Sequence, residues 1–198
     1  MHLRFPAILL AVRPHGETAV IARALTEGHG LVAAYVAGGR GRRLRPVLIP
    51  GNLLDLQLAA RSEAQLPFAT PELLRSRGAL LGEPLPAAAI GWTTAFTATV
   101  LPERQPYPRL FQGLGGLLDA IGSGAPARDW LTGLVAYETL VLRELGFGGE
   151  APVAGDFAQA LAALDRLQPL LARYLLADRR GDVMAARSRL REQLSRME

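Results

Sequence analysis

Residues 31–54 read LVAAYVAGGRGRRLRPVLIPGNLL, and this stretch decides the fold of the N-terminal part of the chain. Residues 31–37 and 53–60 are apolar runs of strand length, and a shorter run at 47–49 precedes Pro-Gly-Asn, so each predicts a β-strand. Residues 38–45 hold three glycines and four arginines in eight positions. The stretch therefore predicts β structure that presents a basic loop.

Similar short runs lie on either side of this stretch. Further strands are predicted at residues 8–12, 18–25 and 66–70, with glycine- and proline-rich turns between them. With residues 47–49 and 53–60 counted as one strand split by Pro-Gly-Asn, these are five strands in about 65 residues, which is typical of an OB-type β-barrel.

Beyond about Pro84 the apolar residues repeat at helical spacing. Helices are predicted at residues 85–101, 107–121, 129–145, 157–177 and 183–197, with Asp129 and Asp156 as N-caps and Pro169 as a break or kink. We expect an α+β multidomain protein with an OB-type barrel in residues 1–83 and an all-α helical domain in residues 84–198.

The charge of the chain is unevenly distributed. Its 198 residues are 49% hydrophobic and 20% charged, and all 22 basic residues are arginine, against 18 acidic residues. Residues 1–61 hold 8 arginines and 3 acidic residues, a net +5, whereas residues 62–198 hold 14 and 15, a net −1. A basic N-terminal third indicates a polyanionic partner.

Several chemistries lack the residues they need. The chain has no cysteine, and its three histidines (His2, His15 and His29) have no metal-ligand spacing. The few serines stand outside any strand–turn–helix elbow, and no glycine pair belongs to a phosphate-binding or dinucleotide-binding loop. We expect a protein that is not an enzyme, with no catalytic residue, metal or cofactor.

The chain also lacks a predicted membrane segment. The apolar core of residues 1–12 is too short for a secretory signal, and no run of 18 uncharged apolar residues follows. We expect a cytoplasmic protein with no membrane contact.

The basic loop is the main candidate binding site. The four guanidinium groups of Arg40, Arg42, Arg43 and Arg45 can contact phosphate oxygens while the glycine-rich backbone approaches them closely. A solvated hairpin tip is the alternative interpretation. Three further candidates for nucleic-acid binding are Arg13, Arg23 and Tyr35, although each arginine can be a lone surface residue and Tyr35 can belong to the core of the barrel.

Sequence elements in the same order resemble the RecO family of bacterial recombination mediators. The N-terminal matches are Gly16-Glu17, the run from Thr26 to Leu31, the glycine-arginine loop and Pro50-Gly51-Asn52-Leu53-Leu54; the later ones are Leu101-Pro102-Glu103, Pro106 to Phe111, Tyr137-Glu138 and Glu144 to Phe147. Many members carry a four-cysteine zinc subdomain after the last element. Here that position is the nine cysteine-free residues 148–156, so the resemblance implies a form without this subdomain.

The resemblance implies a function in DNA repair. It implies an OB domain and a helical domain that bind single- and double-stranded DNA, anneal complementary strands, and act with RecR and single-strand binding protein to load RecA, in a nucleoid-associated protein. It also implies that the acidic, Phe-ended tail of single-strand binding protein docks on the helical domain. Candidate contacts for this tail are Arg109, Phe111, Arg187 and Arg191, with the alternative that Phe111 belongs to the core.

Two other classes of function remain open on the residues alone. An OB barrel with a basic loop also suits an RNA-binding protein acting in translation, because neither feature separates DNA from RNA. A protein-interaction scaffold whose helical domain is the working part is the third interpretation.

Overall fold

The strands precede all the α-helices along the chain. The computed structural model describes residues 2–60, 65–148, 155–177 and 183–197. Within these residues the strands are β1 (His2–His15), β2 (Ala19–Thr26), β3 (Gly30–Val36), β4 (Leu53–Ala59) and β5 (Phe68–Arg75). After a 3-10 turn at Gly78–Gly82 come α1 (Pro84–Val100), α2 (Pro108–Gly122), α3 (Ala127–Glu144), α4 (Phe157–Tyr174) and α5 (Val183–Ser195). The predicted α+β order of a β region followed by helices is confirmed.

The five strands form a sheet that closes on itself. Their order is β1-β2-β3-β5-β4, and β4 pairs antiparallel with β1 to complete the circle. The pairing of β3 with β5 is the one parallel contact among the described strands, and the residues joined there are Tyr35 and Phe68. The long β1 serves two neighbours because a bulge between Leu9 and Ala11 bends it from β4 towards β2.

Alternate residues of each strand fill the closed sheet. In β2 the residues Val20, Ala22 and Ala24 belong to a buried inner cluster, which also includes Leu54, Leu56 and Leu58 of β4. Since successive side chains of a strand point to opposite faces, the residues between them lie on the outer face of the sheet.

Part of that outer face is covered by the helices. Ile8, Leu10, Leu25 and Leu31 belong to the same buried cluster as the apolar faces of α1 to α5, here called the shared core. Helix α1 crosses this core with Trp92 and Phe96 fully buried and stacked at 4.8 Å between ring centroids. The strand and helix segments are thus joined by one hydrophobic core.

The predicted strand at residues 47–49 is wrong. The chain there forms helical turns, in which the Leu48 amide donates to the Leu44 carbonyl at 2.8 Å and the Arg45 amide donates to the Gly41 carbonyl at 3.0 Å. Leu44 and Leu48 are four residues apart, so one turn places both side chains against the inner cluster.

Two predictions about the helices are also corrected. Asp129 lies in the first turn of α3, whose N-cap is Pro126. Helix α4 continues through Pro169 without the predicted break, with Leu167 and Leu171 on either side buried and Pro169 itself exposed. The Asp156 cap of α4 is confirmed, with its carboxylate accepting from the Gln159 amide at 2.8 Å.

Candidate nucleic-acid interface

The basic segment lies at one end of the closed sheet, between β3 and β4. We call residues 37–52 the arginine loop. Its arginines Arg40, Arg42, Arg43 and Arg45 are all exposed, whereas Leu44 among them is buried under the loop. The glycines give the backbone its tight turns: Gly38 has a φ of +63°, and the Gly41 amide donates to the Gly38 carbonyl at 2.8 Å. The loop is therefore anchored by leucine and presents arginine.

Asn52 fastens the far end of the arginine loop. Its side chain is fully buried, and its amide Nδ2 donates to the carbonyls of Pro46 at 3.1 Å and Val47 at 2.9 Å. Its Oδ1 accepts from the Arg77 amide at 2.7 Å. One asparagine thus joins the loop to the segment that follows β5, which gives a physical reason for the Pro-Gly-Asn motif.

Arg77 continues this connection into the helices. Its guanidinium is 95% buried and donates to the Gly51 carbonyl and to the Asp119 carboxylate of α2. Burial lowers the pKa of Arg77, and hydrogen bonds from Arg75 and Arg77 lower the pKa of Asp119 even though its own burial opposes this. Gly51, whose carbonyl accepts from Arg77, has a φ of +94°, and a Cβ on this residue would meet Ile90 Cγ2 of α1 at 2.8 Å. Both the backbone conformation and the available space therefore require glycine.

A cleft opens beside the arginine loop. Arg40 and Arg45 line it with Val12, Val20 and Leu48, and its volume is about 290 Å³. The Arg40 guanidinium also donates to the Glu17 carbonyl at 2.9 Å, which ties the loop to the turn between β1 and β2. The cleft combines an apolar floor with a cationic rim.

Most of the candidate arginines have no acidic partner. In the described part of the chain, Arg42, Arg43 and Arg45 form no ion pair or side-chain hydrogen bond. The same holds there for Arg13, which lies exposed on β1. Their charges are compensated only by solvent, so this surface attracts anions.

Arg23 is placed differently. Its guanidinium donates to the Ala98 carbonyl at the end of α1 at 2.8 Å and approaches the Glu103 carboxylate at 3.4 Å. Because these partners occupy it, Arg23 joins β2 to the helices and stands apart from the loop arginines.

Tyr35 lies on the outer face of the sheet rather than in its interior. The neighbouring Ala34 and Val36 belong to the inner cluster, and the half-buried tyrosine ring packs edge-on against Phe68 at 5.1 Å and His15 at 5.8 Å. Phe68, which is 62% exposed, was not predicted as a site residue. A single phenylalanine in a short strand carries no sequence signal that separates an outer position from an inner one.

The predicted partner contacts on the helices are only partly brought together. Arg109 is 76% exposed and stands 3.7 Å from Glu144. It lies about one helical turn before Gln112, the first α2 residue that lines an apolar groove between α2 and α3. Phe111 is half-buried against the shared core, and Leu114 is fully buried. The groove has a volume of about 290 Å³ and is lined by residues such as Gly113, Leu117, Trp130, Tyr137 and Leu140.

Arg187, one of the candidate contacts for the tail, does not lie on the surface of its helix. Arg187 is 1% exposed, and its guanidinium donates to Glu138 Oε2 at 2.7 Å, to Glu138 Oε1 at 3.0 Å and to the Leu164 carbonyl at 2.7 Å. Glu138, itself fully buried, also accepts from Trp92 Nε1 at 2.8 Å. The sequence does not reveal this burial, because no residue near Arg187 in the chain indicates the distant carboxylate that pairs with it.

Arg191 belongs to a second ion pair between helices. It donates to both carboxylate oxygens of Asp165 on α4, at 2.7 and 2.8 Å. These hydrogen bonds lower the pKa of Asp165. Arg191 thus lies nearer the surface than Arg187 but is also engaged within the protein.

The described residues contain neither a cluster of metal ligands nor a membrane-spanning helix. No three side chains of histidine, aspartate or glutamate converge there as a metal site. Likewise, none of the helices described is both long and apolar enough to cross a bilayer. The shortened segment at 148–156 falls mostly outside the described residues.

Comparison with known proteins identifies two matching family models and many relatives. The model for the Recombination protein O N terminal matches residues 1–77, and that for the Recombination protein O C terminal matches residues 85–150. The chain is 44% identical over 143 residues to the DNA repair protein RecO of Rhodospirillum centenum, covering 72% of this chain and 56% of the relative. The proteins of the same name from Dinoroseobacter shibae and Rhodospirillum rubrum are 40% and 41% identical, over 73% and 71% of this chain and 59% and 57% of their own length. The match thus spans somewhat more than half the length of these relatives.

Proposed function

Since the chain belongs to the RecO family, we propose that it is a DNA repair and recombination protein that binds single- and double-stranded DNA and anneals complementary strands without catalysing a chemical reaction. The observation that carries this proposal is the exposed set of arginines on the arginine loop, of which Arg42, Arg43 and Arg45 have no acidic partner in the described residues. A polyanion supplies the acidic partner that the described residues do not.

Charge neutralisation gives a mechanism for annealing. Two complementary strands repel each other through their phosphates, and each phosphate contacted by a guanidinium releases a counterion and loses its charge in the repulsion. Planar guanidinium groups contact two phosphate oxygens at once, which holds a strand in place without covalent chemistry. The leucines under the loop and the Asn52 hydrogen bonds keep these groups on one surface before the DNA arrives.

The strand order supports an OB-type fold for the β region, with the division of the chain near residues 83 and 84. A small closed sheet of five strands in the order β1-β2-β3-β5-β4 is typical of OB folds, which bind oligonucleotides on the face of strands 2 and 3 and on neighbouring loops, including the loop between strands 1 and 2. The arginine loop adjoins that turn, because Arg40 donates to the Glu17 carbonyl. We infer that the arginine loop and the adjoining cleft correspond to the binding surface.

A protein partner is proposed on the helices. The groove between α2 and α3 supports docking of the acidic, Phe-ended tail of single-strand binding protein, because it offers an apolar site for a ring, with Arg109 about one helical turn before it for carboxylates. Arg187 is excluded from this contact because it is buried, and Arg191 is paired with Asp165 of α4 and does not line this groove. Cooperation with RecR and the loading of RecA, in the nucleoid of the cytoplasm, complete the proposal.

Salt dependence of DNA binding tests the arginine loop. If about four to six phosphates of a single strand are neutralised, log K falls against log salt concentration with a slope of roughly −3 to −4. Alanine at Arg40, Arg42, Arg43 and Arg45 together flattens the slope by about 0.7 for each lost contact. The matched control replaces the exposed helical arginines Arg143, Arg166, Arg189 and Arg196, which changes net charge equally. Equal slopes in both variants would assign binding to net charge and reject the loop.

Annealing and partner binding need their own assays. Annealing of strands coated with single-strand binding protein, with and without RecR, is expected to be accelerated by the protein and lost in the loop variant. Preference for RNA over DNA of the same sequence at matched salt would favour the translation alternative, and binding of neither would favour a scaffold.

For the tail peptide, R109E and removal of the terminal phenylalanine should each weaken binding; unchanged affinity in both would place the partner elsewhere.

A further inference from the structure

Three aromatic rings from three different strands meet on the outer face of the closed sheet. Tyr35 of β3 lies between them, with ring centroids 5.1 Å from Phe68 of β5 and 5.8 Å from His15 of β1. We call these three residues the aromatic platform. Phe68 is 62% exposed and His15 is also exposed, so the rings are open to a ligand.

The strand register explains why these rings share one face. Tyr35 and Phe68 lie next to Val36 and Ala69 of the inner cluster, so their own side chains point outward. His15 is two residues from the exposed Arg13 on β1 and lies on the same face of that strand. Tyr35 and Phe68 are paired directly across the parallel contact of β3 with β5. Tyr35 also donates its amide to the Pro67 carbonyl at 2.8 Å, which holds this contact in register. The platform therefore lies on two paired strands, at the strand contact with the fewest paired residues in the sheet.

The charge beside the platform indicates a polyanion. The same row across the strands consists of Arg13, Ile21, Tyr35 and Phe68. Arg13 lies two strands, about 10 Å, from Tyr35 and forms no ion pair with the described residues. The arginine loop begins one residue after β3 ends, and Arg40 joins it to the turn that follows His15. Aromatic faces and cationic groups thus adjoin at one end of the sheet.

We propose that the aromatic platform stacks the bases of a single-stranded polynucleotide whose phosphates lie on the arginine loop. This inference rests on the proposed function and adds to it the origin of strand preference. Ring-on-base stacking is independent of sequence because every base has a π face, and it requires bases that are not already stacked within a duplex. Tyr35, Phe68 and His15 therefore discriminate single from double strands, whereas the arginine loop contacts both.

Substitution of Phe68 tests the platform. F68A is expected to weaken binding of a deoxythymidine oligonucleotide by at least about fivefold, the lower end of measured stacking losses, and to leave duplex binding and the salt slope unchanged. The matched control is F147A, since Phe147 is 46% exposed and packs against Tyr174 at 5.3 Å, far along the chain in the helical segment. An abasic oligonucleotide with the same number of phosphates should bind F68A and the unaltered protein equally.

Crosslinking tests the same contact without any substitution. An oligonucleotide carrying 5-iododeoxyuridine, irradiated on the intact protein, should form adducts at Tyr35, Phe68 or His15 that mass spectrometry can map. Adducts confined to other residues, or equal losses of single- and double-strand binding in F68A, would overturn the platform while leaving the arginine loop intact. Absence of all DNA binding by the unaltered protein would instead overturn the proposed function.

Discussion

At the scale of single residues, Asn52 and Arg187 show how a buried polar side chain organises its surroundings. Each is at most 1% exposed and each joins segments that are far apart in sequence. Asn52 satisfies two carbonyls of the arginine loop and one amide after β5. Arg187 satisfies the buried carboxylate of Glu138. Removing either leaves polar atoms buried without partners, which costs more than the hydrogen bonds contribute.

Replacement of Asn52 is expected to release the arginine loop. N52A leaves the carbonyls of Pro46 and Val47 without their donor, at a cost of about 1–3 kcal/mol for each group that water does not reach. Because the loop is rich in arginine, limited digestion with trypsin should cleave it faster, and DNA affinity should fall as the loop loses order.

Gln57 on β4 supplies a control for this variant, since Q57A removes a side-chain amide from the outer face of the sheet. N52D, which keeps the oxygen that accepts from Arg77, should fall between N52A and the unaltered protein. Identical trypsin patterns for N52A and Q57A would contradict an anchoring role.

Loss of Arg187 is expected to destabilise the helices strongly. R187M leaves Glu138 buried with Trp92 Nε1 as its remaining donor, so the free energy of unfolding should fall by about 3–5 kcal/mol. The double variant R187M with E138L removes both charges and should recover much of this loss in denaturant titrations. A single variant as stable as the unaltered protein would mean that water reaches the carboxylate.

At the scale of elements, the last two helices are held together by charge as well as by leucines. Arg191 of α5 binds both oxygens of Asp165 on α4, and its hydrogen bonds lower the pKa of that carboxyl group. Arg75, which ends β5, and Arg77, which follows that strand, lower the pKa of Asp119 on α2 in the same way. The first pair joins consecutive helices, whereas the contacts of Asp119 join α2 to β5 and the segment after it, which are separated from α2 in the chain by α1.

These pairs predict the direction of acid sensitivity. A carboxyl group whose pKa is lower in the folded state stabilises the fold above its unfolded pKa, near 3.8, and this contribution is lost as pH falls towards the lowered value. The free energy of unfolding should therefore decrease from about pH 5 to about pH 2. In R191M the contribution of Asp165 is absent, so denaturant midpoints at about pH 5 and pH 2 should lie closer together than in the unaltered protein; an unchanged difference would exclude the pair as a source of acid sensitivity.

At the scale of the whole molecule, the strand and helix segments form one unit. The family models divide between residues 77 and 85, but Ile8, Leu10, Leu25 and Leu31 of the strands are buried in the shared core. The boundary between the two family models is therefore a division of sequence, while the shared core crosses it.

Cooperative unfolding is the expected consequence. Calorimetry of the full chain should give one transition whose calorimetric and van't Hoff enthalpies agree, because each segment loses the surface that it buries in the shared core when the other unfolds. A fragment ending at residue 83 should expose the four strand residues of the shared core and aggregate. Two separate transitions would show that the segments are independent despite their contact.

The sequence by itself determined the order of strands and helices, most of their positions, the exposure of the loop arginines and the family. These follow from local information, since the period of apolar residues and the placing of glycine and proline act within a few positions. The four-residue spacing of Leu44 and Leu48 fits the helical turn at residues 44–48, but the surrounding β-rich pattern favoured a strand there.

The tertiary structure alone decided the partners of the polar residues. It buried Arg187 against Glu138, 49 positions away, engaged Arg23 with the end of α1, and turned Tyr35 outward towards Phe68. A charge or a ring has the same local sequence context whether it meets solvent, a carboxylate or another ring. Its role depends on which distant segments the closed sheet and the shared core bring beside it, and no local pattern contains that information.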